Sequence, residues 1–153
     1  MNQKTLGFIG GGRIVRIILE GWRRAGKMPG NIVVSDCNAE ALAKLQSQFP
    51  SIKAVNDKAV AAAQDIVFLA VHPPVMAETA SALKGSLKPT TIVVSLAPKF
   101  TIARLSELMG GFTRLARVIP NAPPSATSVT TPCHSPKSWP PPTRKRFWAC
   151  WNR

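Results

Sequence analysis

Apolar residues follow two rhythms along this chain. Nearly continuous runs of Val, Ile, Leu and Phe at residues 5–9, 31–36, 65–71, 90–97 and 113–119 read as strands buried on both faces. Between them the spacing turns helical. Ile14, Ile17, Ile18 and Trp22 recur on one face from Arg13 to about Ala25, until Gly26 and the Pro29-Gly30 pair end the stretch. Asn38 is the expected N-cap of a helix over 39–49. A short strand at 51–55 precedes Asn56-Asp57 and an alanine-rich helix. His72-Pro73-Pro74 breaks the run at 65–71, which places the next helix at 75–87 and a further one at 101–110.

Strands alternating with helices at this spacing imply parallel βαβ units with right-handed crossovers. The expected fold class is therefore α/β: a doubly wound parallel sheet with helices on both faces. After Pro120 both rhythms are lost. Three of the four tryptophans and many of the prolines lie there, and three consecutive prolines at 140–142 exclude an interior helix or central strand. The expected division is one α/β domain at 1–131 and an irregular, basic, Pro/Trp-rich C-terminal tail at 132–153.

With 153 residues the chain suits one domain with a real core. No apolar run approaches the roughly 18–20 residues of a membrane span, and three glycines interrupt the N-terminal run before any signal-peptide cleavage pattern. The expectation is a cytoplasmic protein without membrane partners. Cys37, Cys133 and Cys150 are odd in number and lack CxxC spacing; with only two histidines, no disulfide framework and no metal site are expected. The net charge of +13 is concentrated late, since acids stop at Glu107 while Arg114, Arg117, Lys137, Arg144, Lys145, Arg146 and Arg153 follow. Basic residues interleaved with Phe147, Trp148 and Trp151 suggest a single-strand nucleic-acid surface. Without a recognisable nucleic-acid fold this is the weaker reading, because a basic run is usually just a solvated one.

The sharpest chemistry is LGFIGGGRIVRIIL at residues 6–19. Gly10 and Gly12 stand at the first two positions of GxGxxG, with Gly11 between them, after a strand and before a helix. That is the context in which a dinucleotide pyrophosphate meets free backbone N–H groups. Val15 replaces the third glycine, which chiefly lets helix and strand pack closely, so some displacement of the helix is expected. The plainer alternative is a tight turn in a non-binding Rossmann-like domain. At the end of the second strand Asp36 is placed to accept from a ribose 2′-OH, favouring NAD. Ser35, Asn38 and Arg13 are placed instead to meet a 2′-phosphate, favouring NADP; turn chemistry alone also accounts for Asp36. His72 reads as an exposed strand-end residue rather than a general acid.

Five segments together extend the picture: GFIGGGRIVRIILEGW, NIVVSDCNAEAL, DIVFLAVHPPVM, TIVVSLAPKFTIARL and RVIPNAPPS. Over roughly residues 5 to 125 the chain resembles the pyrroline-5-carboxylate reductases, and equally the related deazaflavin-dependent NADP reductase-like proteins. The resemblance implies a Rossmann domain followed by a helical dimerisation domain, and NAD(P)H-dependent reduction of a C=N bond in proline biosynthesis. It implies that Gly10, Gly11, Gly12, Arg13 and Ile14 lie along the pyrophosphate and that Ser35, Asp36 and Asn38 lie near the adenosine ribose. Ala70, Val71 and Pro73 would flank the nicotinamide half, and Asn121 and Pro123 would line the nicotinamide and substrate mouth. The chain departs from the family at His72, where lysine is frequent, and at IPNAP (119–123), where MPNTP is usual. It departs again at Ala97-Pro98-Lys99, where a small Ala-Ala-Gly is common. These forms lean towards the NADP reductase-like branch. Nothing in the tail resembles the helical domain, which weakens the expectation of a homo-oligomer and suggests an out-of-frame or truncated end. A dinucleotide-binding module without turnover is the alternative that follows.

Overall fold

The structure, a computed structural model, describes residues 4–119 and the pair 133–134. Six strands run parallel: β1 (Leu6–Ile9), β2 (Ile32–Ser35), β3 (Ile52–Val55), β4 (Ile66–Leu69), β5 (Ile92–Ser95) and β6 (Leu115–Val118). A two-residue strand, β7 (Cys133–His134), pairs antiparallel with β6 through Arg117↔His134 and Val118↔Cys133. The strand order is β3-β2-β1-β4-β5-β6-β7. The winding direction therefore reverses between β1 and β4, which opens a crevice above the carboxyl ends of those two strands.

Between the strands lie α1 (Arg13–Arg24), α2 (Ala39–Gln48), α3 (Lys58–Ala62), α4 (Pro73–Ala82) and α5 (Ile102–Leu108). They explain why the strand runs are almost unbroken in apolar residues. Alternate residues face opposite helical layers, so both faces must be oily. Phe8, Ile32, Val34, Ile66 and Phe68 join Val15 and Leu19 of α1 and Leu42 and Leu45 of α2 in one cluster. Ile9, Val67, Leu69 and Val93 join Ala61 of α3, Met76 and Ala80 of α4, and Leu105 of α5 in the other. Phe8 stacks on Phe68 at 4.6 Å and tilts against Trp22 at 6.1 Å, which locks the centre of the first layer. Each such large side chain removed from water contributes about 1.5–3 kcal/mol.

A polar latch sits at the opposite end of the two central strands. The Thr5 N–H and hydroxyl donate to Asp65 Oδ2 at 3.0 and 3.2 Å, and the Asp65 N–H donates to Thr5 Oγ1 at 3.1 Å. The backbone hydrogen bond from Thr5 is the main reason the Asp65 carboxyl is held below the usual aspartate range, against the opposing effect of burial.

Two expectations change. The α4 helix starts at Pro73, not at residue 75, and stops at Ala82 rather than 87. Prolines are accepted at the first helical positions because the N–H they lack has no partner there anyway. The sheet also gains the antiparallel edge β7 inside a region read as irregular; pairing with the open edge of β6 satisfies backbone groups that no sequence periodicity announces. Otherwise the expectations for the tail, including the basic–aromatic stretch, lie outside the described residues. No helix among the described residues is long and apolar enough to cross a membrane.

Candidate functional site

The crevice is built around the turn from β1 to α1. Gly10 has φ +101°, and a Cβ there would lie 2.6 Å from the Ala70 carbonyl oxygen, so a side chain is excluded on both counts. The Gly10 N–H donates to the Ser35 carbonyl at 2.7 Å and the Ala70 N–H to the Ile9 carbonyl at 2.8 Å. The ends of β1, β2 and β4 are thereby tied together. Gly12 is different. Its φ of −76° is open to any residue, and a Cβ there would meet nothing within 4 Å. The fold itself makes no demand for glycine at 12. The missing side chain leaves open space directly over the start of α1, the kind of space that close approach of a phosphate to a backbone needs.

The helix ends differ in the same direction. Asn38, Asp57 and Thr101 cap α2, α3 and α5, accepting from Ala41, Ala59 and Arg104 N–H groups at 3.0, 2.8 and 3.2 Å. α1 begins at Gly12 with no capping side chain and no acid in its first turn. Its leading N–H groups and the positive end of its dipole face the crevice, an arrangement that suits an anion.

Asp36 links this turn to the end of β2. Its Oδ2 accepts from the Gly11 N–H at 2.6 Å, and its Oδ1 accepts from the Asn38 N–H at 2.9 Å. The structure thus brings together Gly10, Gly11, Gly12, Asp36 and Asn38, with Arg13 exposed on the first turn of α1 and Ile14 half-buried against the core. Ser35 is a correction. It is fully buried, and its hydroxyl donates to the Phe8 carbonyl at 3.4 Å, so it does not present a side chain to a ribose or phosphate. The physical reason is strand alternation: the last residue of β2 still points into the sheet layers.

Farther along the crevice Ala70 and Val71 are half-buried, and Pro73 is exposed at the head of α4. His72 is exposed at the N-cap of α4 and makes no side-chain capping bond. Asn121 and Pro123 lie outside the described residues. Val15, where the motif would have glycine, is fully buried in the core layer of α1. The tight strand–helix contact is made instead at Gly7, where a Cβ would collide with the Ala61 carbonyl of α3 on the other face.

Sequence reasoning missed two residues. One is Gly7, hidden in an apolar run. The other is Arg117, whose Nη1 donates to the Pro98 carbonyl at 3.5 Å beside the carboxyl end of β5. Its Nε is buried with no hydrogen-bond partner among the described residues. An arginine interrupting a buried strand was the available signal.

Residues 5–99 match the family model described as "NADP oxidoreductase coenzyme F420-dependent". The pyrroline-5-carboxylate reductase of Escherichia coli K12 is 35% identical over 133 residues, covering 84% of this chain and 49% of that protein. That of Pseudomonas aeruginosa is 34% identical over 124 residues, covering 80% and 45%. The chain thus spans about half the length of these relatives. A pyrroline-5-carboxylate reductase structure from Coxiella burnetii superposes with a TM-score of 0.84 at 25% identity, covering 98% of this chain and 56% of that one. A Plasmodium falciparum pyrroline carboxylate reductase, solved with NADP bound, superposes at 0.79 and 19% identity, covering 99% and 55%; at that identity the likeness concerns the fold.

Proposed function

The chain belongs to the family of coenzyme F420-dependent NADP oxidoreductases, and from that premise we propose that it is the nicotinamide-dinucleotide-binding part of a pyrroline-5-carboxylate reductase-like enzyme. The substrate is a small cyclic imine and the setting is proline biosynthesis in the cytoplasm. The resemblance to the reductases over most of this chain supports the reaction class. The observation that carries the reading is the uncapped start of α1 beneath the open space at Gly12.

The residues present fit NADP or NAD. Gly10, Gly11, Gly12, Arg13 and Ile14 form the strand–helix turn that would receive the pyrophosphate, with N–H donors and the helix dipole opposing its charge. Asp36 and Asn38 would border the adenosine ribose. Ala70, Val71 and Pro73 would flank the nicotinamide half, with Asn121 and Pro123 towards the substrate. When bound, the reduced dinucleotide supplies a hydride to the imine carbon while a proton is taken up at the imine nitrogen.

Calorimetric titration of the chain with NADPH and NADH tests the reading. Micromolar binding of at least one coenzyme is expected. Gly12→Val should weaken it by at least about tenfold while changing stability by less than about 1 kcal/mol, because the new side chain meets ligand and not protein. Undiminished binding by this variant would show that the turn is not the site. Oxidation of the bound reduced coenzyme on adding pyrroline-5-carboxylate then tests the reaction class.

A further inference from the structure

Strand β6 carries one side chain that its packing does not ask for. Leu115 belongs to the core layer of α3, α4 and α5, and Ala116 and Val118 to the layer of α1 and α2. Strand alternation therefore turns Arg117 towards the layer of Leu115, where an aliphatic residue would serve the core best. Arg117 pairs in register with Ser95, the last residue of β5, and so stands at the carboxyl end of that strand. It is half-buried and forms no ion pair among the described residues. Its Nε is buried without a hydrogen-bond partner, and its Nη1 donates to the Pro98 carbonyl at 3.5 Å. A buried donor left unpaired works against folding, so stability does not explain the arginine.

The contact reaches a segment that little else holds. The Leu96 N–H donates to the Leu69 carbonyl at 3.1 Å and the Ala97 N–H to Ser95 Oγ at 3.3 Å, which fastens the chain as it leaves β5. At the far end Thr101 caps α5 and Phe100 packs on the core. Between these anchors Pro98 and Lys99 are exposed. Pro98 has no N–H to give, and among the described residues the bond from Arg117 is the one hydrogen bond made to the pair.

The place of this segment gives the contact its meaning. In a sheet wound β3-β2-β1-β4-β5-β6, a dinucleotide lies across two mononucleotide halves that meet at the switch point. One half is formed by β1 to β3, whose ends carry the glycine turn and Asp36. The other is formed by the carboxyl ends of β4, β5 and β6, where Pro98, Lys99 and Arg117 lie.

We propose that Arg117 is a positioning residue: by holding the Pro98 carbonyl it fixes the Pro98–Lys99 segment as a wall for the nicotinamide nucleotide. The adenosine half is independent of it. The proposal rests on the dinucleotide reading above.

The test is calorimetry on the full chain with NADPH, NADH and ADP, the last carrying only the adenosine and pyrophosphate parts. The parent is expected to bind one reduced coenzyme at least about tenfold tighter than ADP. Arg117→Met keeps an unbranched stem and removes the donors. It should weaken that coenzyme about tenfold and leave ADP within about twofold. Its urea midpoint should equal or exceed the parent's, because the orphan donor leaves with the guanidinium. Arg117→Lys keeps a donor for one carbonyl and should recover most of the lost coenzyme affinity. Pro98→Gly frees the segment at an exposed position without touching the core. It should reproduce the selective loss, and it decides the matter if Arg117→Met does not fold.

Unchanged coenzyme affinity in either Pro98→Gly or folded Arg117→Met overturns the proposal and leaves the dinucleotide reading intact. Equal weakening of coenzyme and ADP overturns it too, since the arginine then acts as a general field or through the fold. So does an Arg117→Lys variant that recovers nothing, or a parent that binds ADP and both coenzymes alike. A parent that binds none of the three overturns both readings.

Discussion

Three glycines in one short stretch serve three unlike purposes, and their surroundings tell them apart. Gly10 is required by a left-handed turn against Ala70, Gly7 by the approach of α3, and Gly12 by nothing in the protein. Only the last opens onto free space at the crevice, so under the proposed function substitution at 12 and at 7 should separate binding from stability. Gly7→Ala is expected to destabilise by about 2–3 kcal/mol, because α3 must move off β1 and the core there repacks under strain. Urea unfolding reads this directly, and a change below about 0.5 kcal/mol would mean that α3 accommodates the methyl group. Val15 carries the complementary lesson. The residue that departs from the motif is spent entirely on core packing, at a position that faces away from the crevice.

At the scale of elements, the central strands are positioned from both ends. Backbone bonds among Gly10, Ser35, Ala70 and Ile9 gather the carboxyl ends, and the Thr5–Asp65 latch joins the amino ends of β1 and β4. Because hydrogen bonding lowers the Asp65 pKa in the folded state, its contribution is fully present above the ordinary aspartate value of about 3.9. It is lost as the pH falls through the lower folded value. The difference in unfolding free energy between the parent and Asp65→Asn should therefore be flat above about pH 5 and shrink as the pH drops below about 4. A difference that grew on acidification would contradict the assigned sign. The helix starts divide in the same way: α2, α3 and α5 are closed by a capping side chain, whereas α1 and α4 have none, and in α4 prolines already remove leading N–H groups that in α1 stay open at the crevice.

For the whole molecule, the sheet divides the core into two layers that share strands but no helices. Leu19 of α1 is fully buried in one and Leu105 of α5 in the other. Each leucine-to-alanine change should cost about 3 kcal/mol, and the two should add within about 0.5 kcal/mol because they share no partners. Equilibrium denaturation of the single variants and the double variant closes that cycle. A coupling above about 1 kcal/mol would show that the sheet transmits strain from face to face. Charge is distributed on this scale too. The groove between α1 and α2 gathers Arg13, Arg16 and Lys44 beside an open helix start, whereas Arg23 and Arg24 farther along α1 and Arg104 of α5 are each paired with a glutamate on their own helix.

The fold class was legible in the sequence because burial on both faces forces unbroken apolar strands, and helix crossovers force the intervening period. The turn at Gly10–Gly12 and the cap at Asn38 were legible for the same local reason: one residue's backbone or side chain suffices to specify them. What required tertiary structure were facts about distant neighbours. Ser35 proved to face inward, Gly7 to meet α3, Asp36 to brace Gly11, and Arg16 to share a groove with Lys44 across two helices. Local periodicity assigns a residue to a face. Only packing decides which residue from another element stands opposite it, and that opposition determines whether a charge is a solvated ornament or one wall of a binding site.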